Sequence, residues 1–361
     1  MTYLLSKFHN LKEDKLFWVR LFAFFAFLIP IVISPRIWFS DRLFPLVSVF
    51  EGIPVPNYTI DIVLIVLFLL SFLGFVFKPS WRLSMFVIGI YVFWVLLDQN
   101  RIQPFYFEII FMVLALTQFN KNPKLVKQCI LLILVGTYFW SGMHKWNELF
   151  FEKWAHGLSK RIPFVPEWMR LVFTYAVPFL EASFGAFLIF PKTRKIGIWS
   201  ITLMHAIIVA TFVKGGYGYI VFPMTFFNVF VLFYLFYKSS FSPKDLFVAK
   251  HPKSIALFLI AIVFPFLNLL GFYDHILAFS YFSGKPKYCK IHFSNPNDVN
   301  DLPDHIKLNV RQEAEDYYID LNEWSARTIG VIVYPEERVY RNIQKQVNTY
   351  LKKPNTYLEF Y

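Results

Sequence analysis

The chain alternates long apolar runs with short polar connections. Nine runs stand out, at residues 16–34, 58–77, 82–97, 105–119, 125–143, 168–190, 196–213, 217–237 and 254–273. A straight helix needs about 20 apolar residues to cross a bilayer. The third and fourth runs, at 16 and 15 residues, are therefore the weakest spans. Only Asp98-Gln99-Asn100-Arg101-Ile102-Gln103-Pro104 divides them, and they also fit broken or re-entrant helices around a cavity. The pattern predicts an all-α polytopic membrane helix bundle of about nine spans over residues 1–273. Residues 144–170 interrupt it. There Trp146, Phe150, Phe151, Trp154 and Trp168 alternate with charges, as in a helix lying in the membrane interface.

Beyond residue 273 the period changes. Ile306-Lys307-Leu308-Asn309-Val310 alternates like a strand, with Tyr317–Leu321 as a partner. Pro335 opens a helix with Glu336 and Glu337 in its first turn. Its apolar stripe is Val339, Ile343, Val347 and Leu351, and Pro354 stops it. Residues 274–361 thus read as a small α+β tail domain.

Composition agrees: 57% of residues are hydrophobic and 45 are Phe, so the implied solvent is a bilayer. The net charge of +12 invites a nucleic-acid reading, which its distribution excludes. Residues 1–273 hold 25 Lys/Arg against 12 Asp/Glu, whereas residues 274–361 hold 11 against 12. The excess sits in short connections. Segments 1–15, 78–82, 120–127, 191–195 and 238–253 carry 15 Lys/Arg, and the opposite set carries nine before the tail. The positive-inside rule then places the N-terminus in the cytoplasm and the tail outside. The first apolar run has no small-residue cleavage site and reads as an uncleaved span. Cys129 lies in an apolar run and Cys289 in the tail, with no CxxC, which argues against thiol–disulfide chemistry. His144, His156 and His205 lack ligand spacing and there is no HExxH, so no metal is expected.

Ionisable residues within spans cost at least ~2–3 kcal/mol each and so demand a partner or a task. Asp98 and Arg101 bracket the turn between spans three and four, and Glu108 lies one turn into span four. Lys145 closes span five, Glu181 and His205 sit mid-span in six and seven, and Asn228 is mid-span eight. Asn268 lies in the outer half of span nine, and Arg20 near the cytoplasmic end of span one. An outward-facing cavity shared by Asp98, Arg101, Glu108, Lys145, Glu181 and His205 accounts for the clustering. A lysine partly dried beneath the headgroups can serve as a base near neutral pH, within lateral reach of a lipid-soluble quinol. The plainer readings are a solvated Asp98–Arg101 pair, a snorkelling Lys145, a Glu181–His205 contact that only joins helices, and an Arg20 that steadies a helix end or binds lipid phosphate.

Tyr138-Phe139-Trp140-Ser141-Gly142-Met143-His144-Lys145-Trp146-Asn147, followed by Trp154-Ala155-His156-Gly157, resembles a known lysine-bearing segment. It belongs to the transmembrane domain of the vitamin K-dependent gamma-carboxylases, their bacterial HTTM relatives and the DoxX-like membrane proteins. The stretch from Asp98 to Pro104, Glu181, and His205 in Leu203-Met204-His205 also resemble features of these families. The resemblance implies a bacterial inner-membrane protein with Lys145 as catalytic base, assisted by Glu181 and His205. Asp98, Arg101, Glu108 and Asn228 would face a quinone or hydroquinone. Two functions stand: a quinol- or lipid-linked oxidoreductase or carboxylase-like enzyme, and a non-enzymatic membrane subunit whose extracytoplasmic tail docks a protein partner. A carrier of small substrates is a third, without repeat symmetry to support it.

Overall fold

The computed structural model describes residues 14–117, 122–247 and 251–361. Nearly all of the basic connection 1–15 lies outside these residues, as do parts of 120–127 and 238–253. Seven of the helices described are long and apolar enough to cross a membrane. They are α1 (Lys15–Ile33), α2 (Tyr58–Phe77), α5 (Pro123–Met143), α7 (Glu167–Ile189), α8 (Arg194–Gly215), α9 (Tyr219–Phe236) and α10 (Pro252–Leu269). Among the described residues the nine expected spans are not reached. α3 (Trp81–Leu97) and α4 (Pro104–Leu116) have 17 and 13 residues and are too short to count. Within residues 144–170 the chain forms α6 (Glu148–Arg161), started by Asn147, whose side chain accepts from the Phe150 amide at 3.0 Å.

The chain forms two compact units, and their division does not follow the boundary at residue 273. One gathers residues up to 30, 68–88 and 104–285, and the other 31–67, 89–103 and 286–361. In the first unit α5 is the central helix: 89% of its apolar window is buried, against 22% for α8. Glycines let other backbones reach it. A Cβ on Gly142 of α5 would stand 2.2 Å from the Ala182 nitrogen and 2.6 Å from the Pro178 oxygen of α7. Reciprocally, a Cβ on Gly185 of α7 would stand 2.5 Å from the Phe139 nitrogen. Gly136 meets Ala261 within a π-helical stretch of α10, Leu259–Val263, and the Trp140 indole donates to the Ile262 carbonyl at 3.1 Å. Small residues at such crossings replace the hydrophobic drive that lipid cannot supply.

Buried cations finish the helix ends. Arg20 donates to the Val76 carbonyl at the end of α2 and pairs with Asp14 at 2.6 Å, which favours the helix-end reading of this residue. Arg194 donates to the Leu188 and Ile189 carbonyls of α7 and to those of Ser239 and Phe241. Lys253 donates to the Ala115 carbonyl of α4 and to Thr117. A helix C-terminus carries orphan carbonyls and a partial negative charge, so a cation there satisfies both.

The second unit contains an antiparallel sheet in the order β2-β3-β1-β4. Its strands are β1 (Cys289–Phe293), β2 (Val310–Glu313), β3 (Asp316–Asp320) and β4 (Thr356–Phe360). The expected strand over 306–310 is displaced: Asp304–Lys307 is a helical turn, and β2 starts at Val310. The helices are α11 (Leu321–Ile329) and α12 (Glu337–Asn348). Val339, Ile343, Val347 and Leu351 are all buried, as their spacing predicts. Asp98 accepts from Arg42, from the Val47 amide and from both nitrogens of Asn100. Arg101, fully buried, donates to the Ile37 and Trp38 carbonyls. Arg338 donates to Gln99 and the Tyr334 amide to Asn100, so this turn anchors the tail through its polar side chains.

Gly142→Ala should lower stability in detergent by about 1–3 kcal/mol, since rigid backbone meets the new methyl. Gly89→Ala, with open space around it, should not. Equal thermal midpoints for the two variants would contradict this packing. In the sheet, His292 bridges Asp316 and Glu359 at 2.8 and 2.9 Å. Hydrogen bonds from His292 and then Lys290 hold the Glu359 carboxyl below its ordinary value. The sign follows: the Glu359 contribution is complete above about 4.5, its unperturbed value, and is lost as pH falls through the lowered folded value. Hydrogen–deuterium exchange of β1 and β4 in the full chain should therefore rise more on acidification in wild type than in Glu359→Gln.

Candidate functional site

Thr137, Tyr138 and Ser141 share one face of α5, and Lys145, in the turn just past its end, reaches back to that face. Four elements of the first unit bring polar groups to that face. They are α7 with Glu181, α8 with His205, α9 with Asn228, and the segment ending at Lys285 with Tyr281.

Lys145 is buried, and its Nζ has four acceptors. These are the Ser141 carbonyl at 3.0 Å, Ser141 Oγ at 3.0 Å, Glu181 Oε1 at 2.9 Å and the Tyr281 carbonyl at 2.9 Å. Ser141 Oγ also donates to Glu181 Oε1 at 2.7 Å. The ammonium thus closes the C-terminal end of α5, neutralises Glu181 and grips a neighbouring segment in one contact. That segment is strained: Phe279 and Phe282 have φ of 58° and 51°, values that bulky side chains rarely adopt. Asn147 holds the same segment by donating to the Ser283 carbonyl at 2.9 Å, and Lys285 donates to Asn268.

A second cluster lies deeper. Tyr138 Oη and His205 Nε2 are 2.8 Å apart, and Asn228 Nδ2 donates to Glu108 Oε1 at 2.8 Å. Glu108 with Asn228, and Tyr138 with His205, are thus two separate hydrogen-bonded pairs. Among the described residues, Thr137 Oγ1, His205 Nδ1, Asn228 Oδ1 and Glu108 Oε2 are buried without a partner. Thr137, Tyr138, Ser141, Glu181, His205 and Asn228 all line a cavity of about 40 Å³. Its remaining walls are largely apolar, with Met204, Ile208, Val221 and Met224. Phe282, 59% exposed, stands among its lining residues.

Residues 123–240 match the family model described as "Methylamine utilisation protein MauE". The matched stretch is about a third of the chain and runs from α5 past the end of α9. It holds Thr137, Tyr138, Ser141, Lys145, Glu181, His205 and Asn228, and leaves out Glu108 and the segment that carries Tyr281 and Phe282. No curated protein and no solved structure matches the chain. The MauE match overturns the resemblance to the gamma-carboxylase, HTTM and DoxX-like families, because it covers the Lys145-bearing end of α5 on which that resemblance rested. A lysine flanked by aromatic residues at a span end is a solution many membrane proteins reach for packing reasons alone. What stands is the coarser statement: the chain is an integral membrane protein of apolar helices with a small antiparallel sheet near its C-terminus.

The first unit brings Lys145 to Glu181, His205 to Tyr138, and Asn228 to Glu108. Asp98 and Arg101 instead meet Arg42 and the 37–38 carbonyls of the second unit, and not each other through a hydrogen bond. Sequence reasoning missed Thr137 and Tyr138, whose spacing from Lys145 on α5 was visible. It also missed Tyr281, whose contribution is a backbone carbonyl that carries no side-chain signature.

Removing one partner of the Lys145–Glu181 pair leaves a buried charge, at a cost of about 3 kcal/mol. Lys145→Met and Glu181→Leu should each destabilise by that order. The double variant should fall short of their sum by about 1 kcal/mol or more, measured by unfolding in detergent. Strict additivity would show that the two groups do not act as a pair.

Proposed function

We propose that this membrane protein holds the polar head of a lipid-soluble quinone or hydroquinone in the cavity lined by α5, α7, α8 and α9. The observation that carries this reading is the pairing of apolar walls with buried polar atoms that have no partner, His205 Nδ1 and Asn228 Oδ1 foremost. Ligand sites are mostly apolar with a few polar groups that fix orientation. A quinone needs apolar contact for its ring, donors for its carbonyls and, once reduced, acceptors for its hydroxyls. His205 and Asn228 supply both kinds, and Thr137 adds a hydroxyl. Phe282 gives the cavity a side chain that can move when a ring enters.

Lys145 serves here as a positioning residue. Its three protons are shared among four acceptors, which favours a held cation over a poised base. It fixes Glu181 and the Phe279–Phe282 segment beside the cavity. The same saturation favours the second reading, a non-enzymatic membrane subunit whose tail docks a partner. The positive-inside distribution supports a cytoplasmic N-terminus and an extracytoplasmic tail. The description of the matching family, methylamine utilisation, is compatible with either reading.

Mass spectrometry of the lipid extract of the purified chain tests the choice. A quinone should co-purify with wild type and with Lys145→Arg. It should fall about tenfold in His205→Phe, which removes the polar ring atoms and fills the space. An extract of wild type without quinone would leave the subunit reading in possession.

A further inference from the structure

We propose that a second cavity, within the second unit, takes up one acyl chain of a bilayer phospholipid beside the first turns of α2. It uses none of the residues of the quinone reading and stands independently of it.

This cavity measures about 490 Å³, and ligand sites span about 300–1,000 Å³. Loop residues 40–55 form one wall; α11, α12 and the turn Asp304–Lys307 form the others. Leu46, Ile53, Ile306, Trp324 and Val347 make the lining largely apolar. The polar groups along the loop are already engaged. Arg42 donates to the Ile37, Phe44 and Pro45 carbonyls and pairs with the buried Asp98. The Leu46 carbonyl accepts from Gln346 Nε2 at 2.7 Å. The Val47 amide donates to Asp98, and the Val49 amide to the Leu96 carbonyl. The wall is therefore fixed by its backbone and presents hydrocarbon to the space it encloses. Among the described residues that line it, none is Asp or Glu, so a cation would find no counter-charge. This lining suits an apolar chain and not a polar solute.

Position supplies the source of the chain. Ser40, on the cavity wall, is tied to α2: its amide and hydroxyl donate to Asp61 at 2.7 and 3.1 Å. Phe39 stacks on Tyr58 with ring centroids 4.9 Å apart. Just past this junction Ile60, Ile62 and Val63 of α2 are exposed, in a helix of mean hydropathy 2.9. Such a face in a membrane protein meets lipid. Two lining residues, Leu43 and Val55, are themselves 60% and 61% exposed, and Val55 lies three residues before α2. The cavity thus opens beside the lipid-facing start of α2. A chain that passes from the bilayer into it keeps apolar surroundings and displaces water from apolar walls, which is favourable.

The test places the full chain in phosphatidylcholine vesicles containing a phosphatidylcholine with a photoreactive diazirine in one acyl chain. After illumination, mass spectrometry of the peptides locates the adducts, with Ile60 and Ile62 as the lipid-facing standard. Adducts should also form on Trp324 or Val347, which are 1% and 0% exposed and out of reach of a lipid on the outer surface. Ile53→Trp, which fills the cavity, should lower these adducts about tenfold relative to those on α2. Phe50→Trp, in the same loop but outside the lining, should leave them unchanged. Labelling of α2 without labelling of Trp324 or Val347 overturns the proposal. So does a cavity labelled by a diazirine-bearing free fatty acid and not by the phospholipid. If Ile53→Trp fails to insert, the wild-type map decides alone, because both residues are reached only from within the cavity.

Discussion

The backbone contact between α5 and α7 is the constraint on which the first unit depends. In a bilayer the tails around a helix are as apolar as its own side chains, so helices associate through close packing and polar contacts. Gly142 and Gly185 remove the side chains that would hold the two backbones apart. Once the helices touch, Ser141 and Lys145 are within hydrogen-bond reach of Glu181. Substituting either glycine therefore disturbs more than local packing, because the same approach sets the polar geometry.

Four buried cations of this unit are placed by what they can satisfy. Arg20, Lys253 and Arg194 end helices by taking up orphan carbonyls, and Lys145 does so for α5 while also neutralising Glu181. Of these, only Lys145 stands next to the cavity. Its four acceptors make it a clamp on a strained loop, and this is the physical ground for separating its role from that of His205. The polar atoms left over after the clamp is satisfied are the ones with chemistry to offer.

The second unit meets the same requirement in a different way. The turn from Asp98 to Gln103 is buried although nearly every residue in it is polar. It is tolerated because Arg42, backbone groups and the tail's Tyr334 and Arg338 satisfy it. Short helices α3 and α4 are consistent with this, since a polar turn sealed by protein removes the need for each to cross a full bilayer.

The sequence by itself determined the solvent, the approximate helix boundaries, the amphipathic stripe of α12 and the identity of the membrane-embedded ionisable residues. These follow from local periodicity and transfer cost, which are written in consecutive residues. Only the tertiary structure decided the partners. Lys145, Asp98 and Arg101 all read alike as polar groups at span ends. Their assignment to a clamp on Glu181, or to a turn that anchors the tail, depends on residues 36, 56 or over 230 positions away. Tyr281 acts through a carbonyl, which every residue owns, so no sequence pattern could single it out. The cavity likewise exists only because α5, α7, α8 and α9 meet around it, and that is a property of packing.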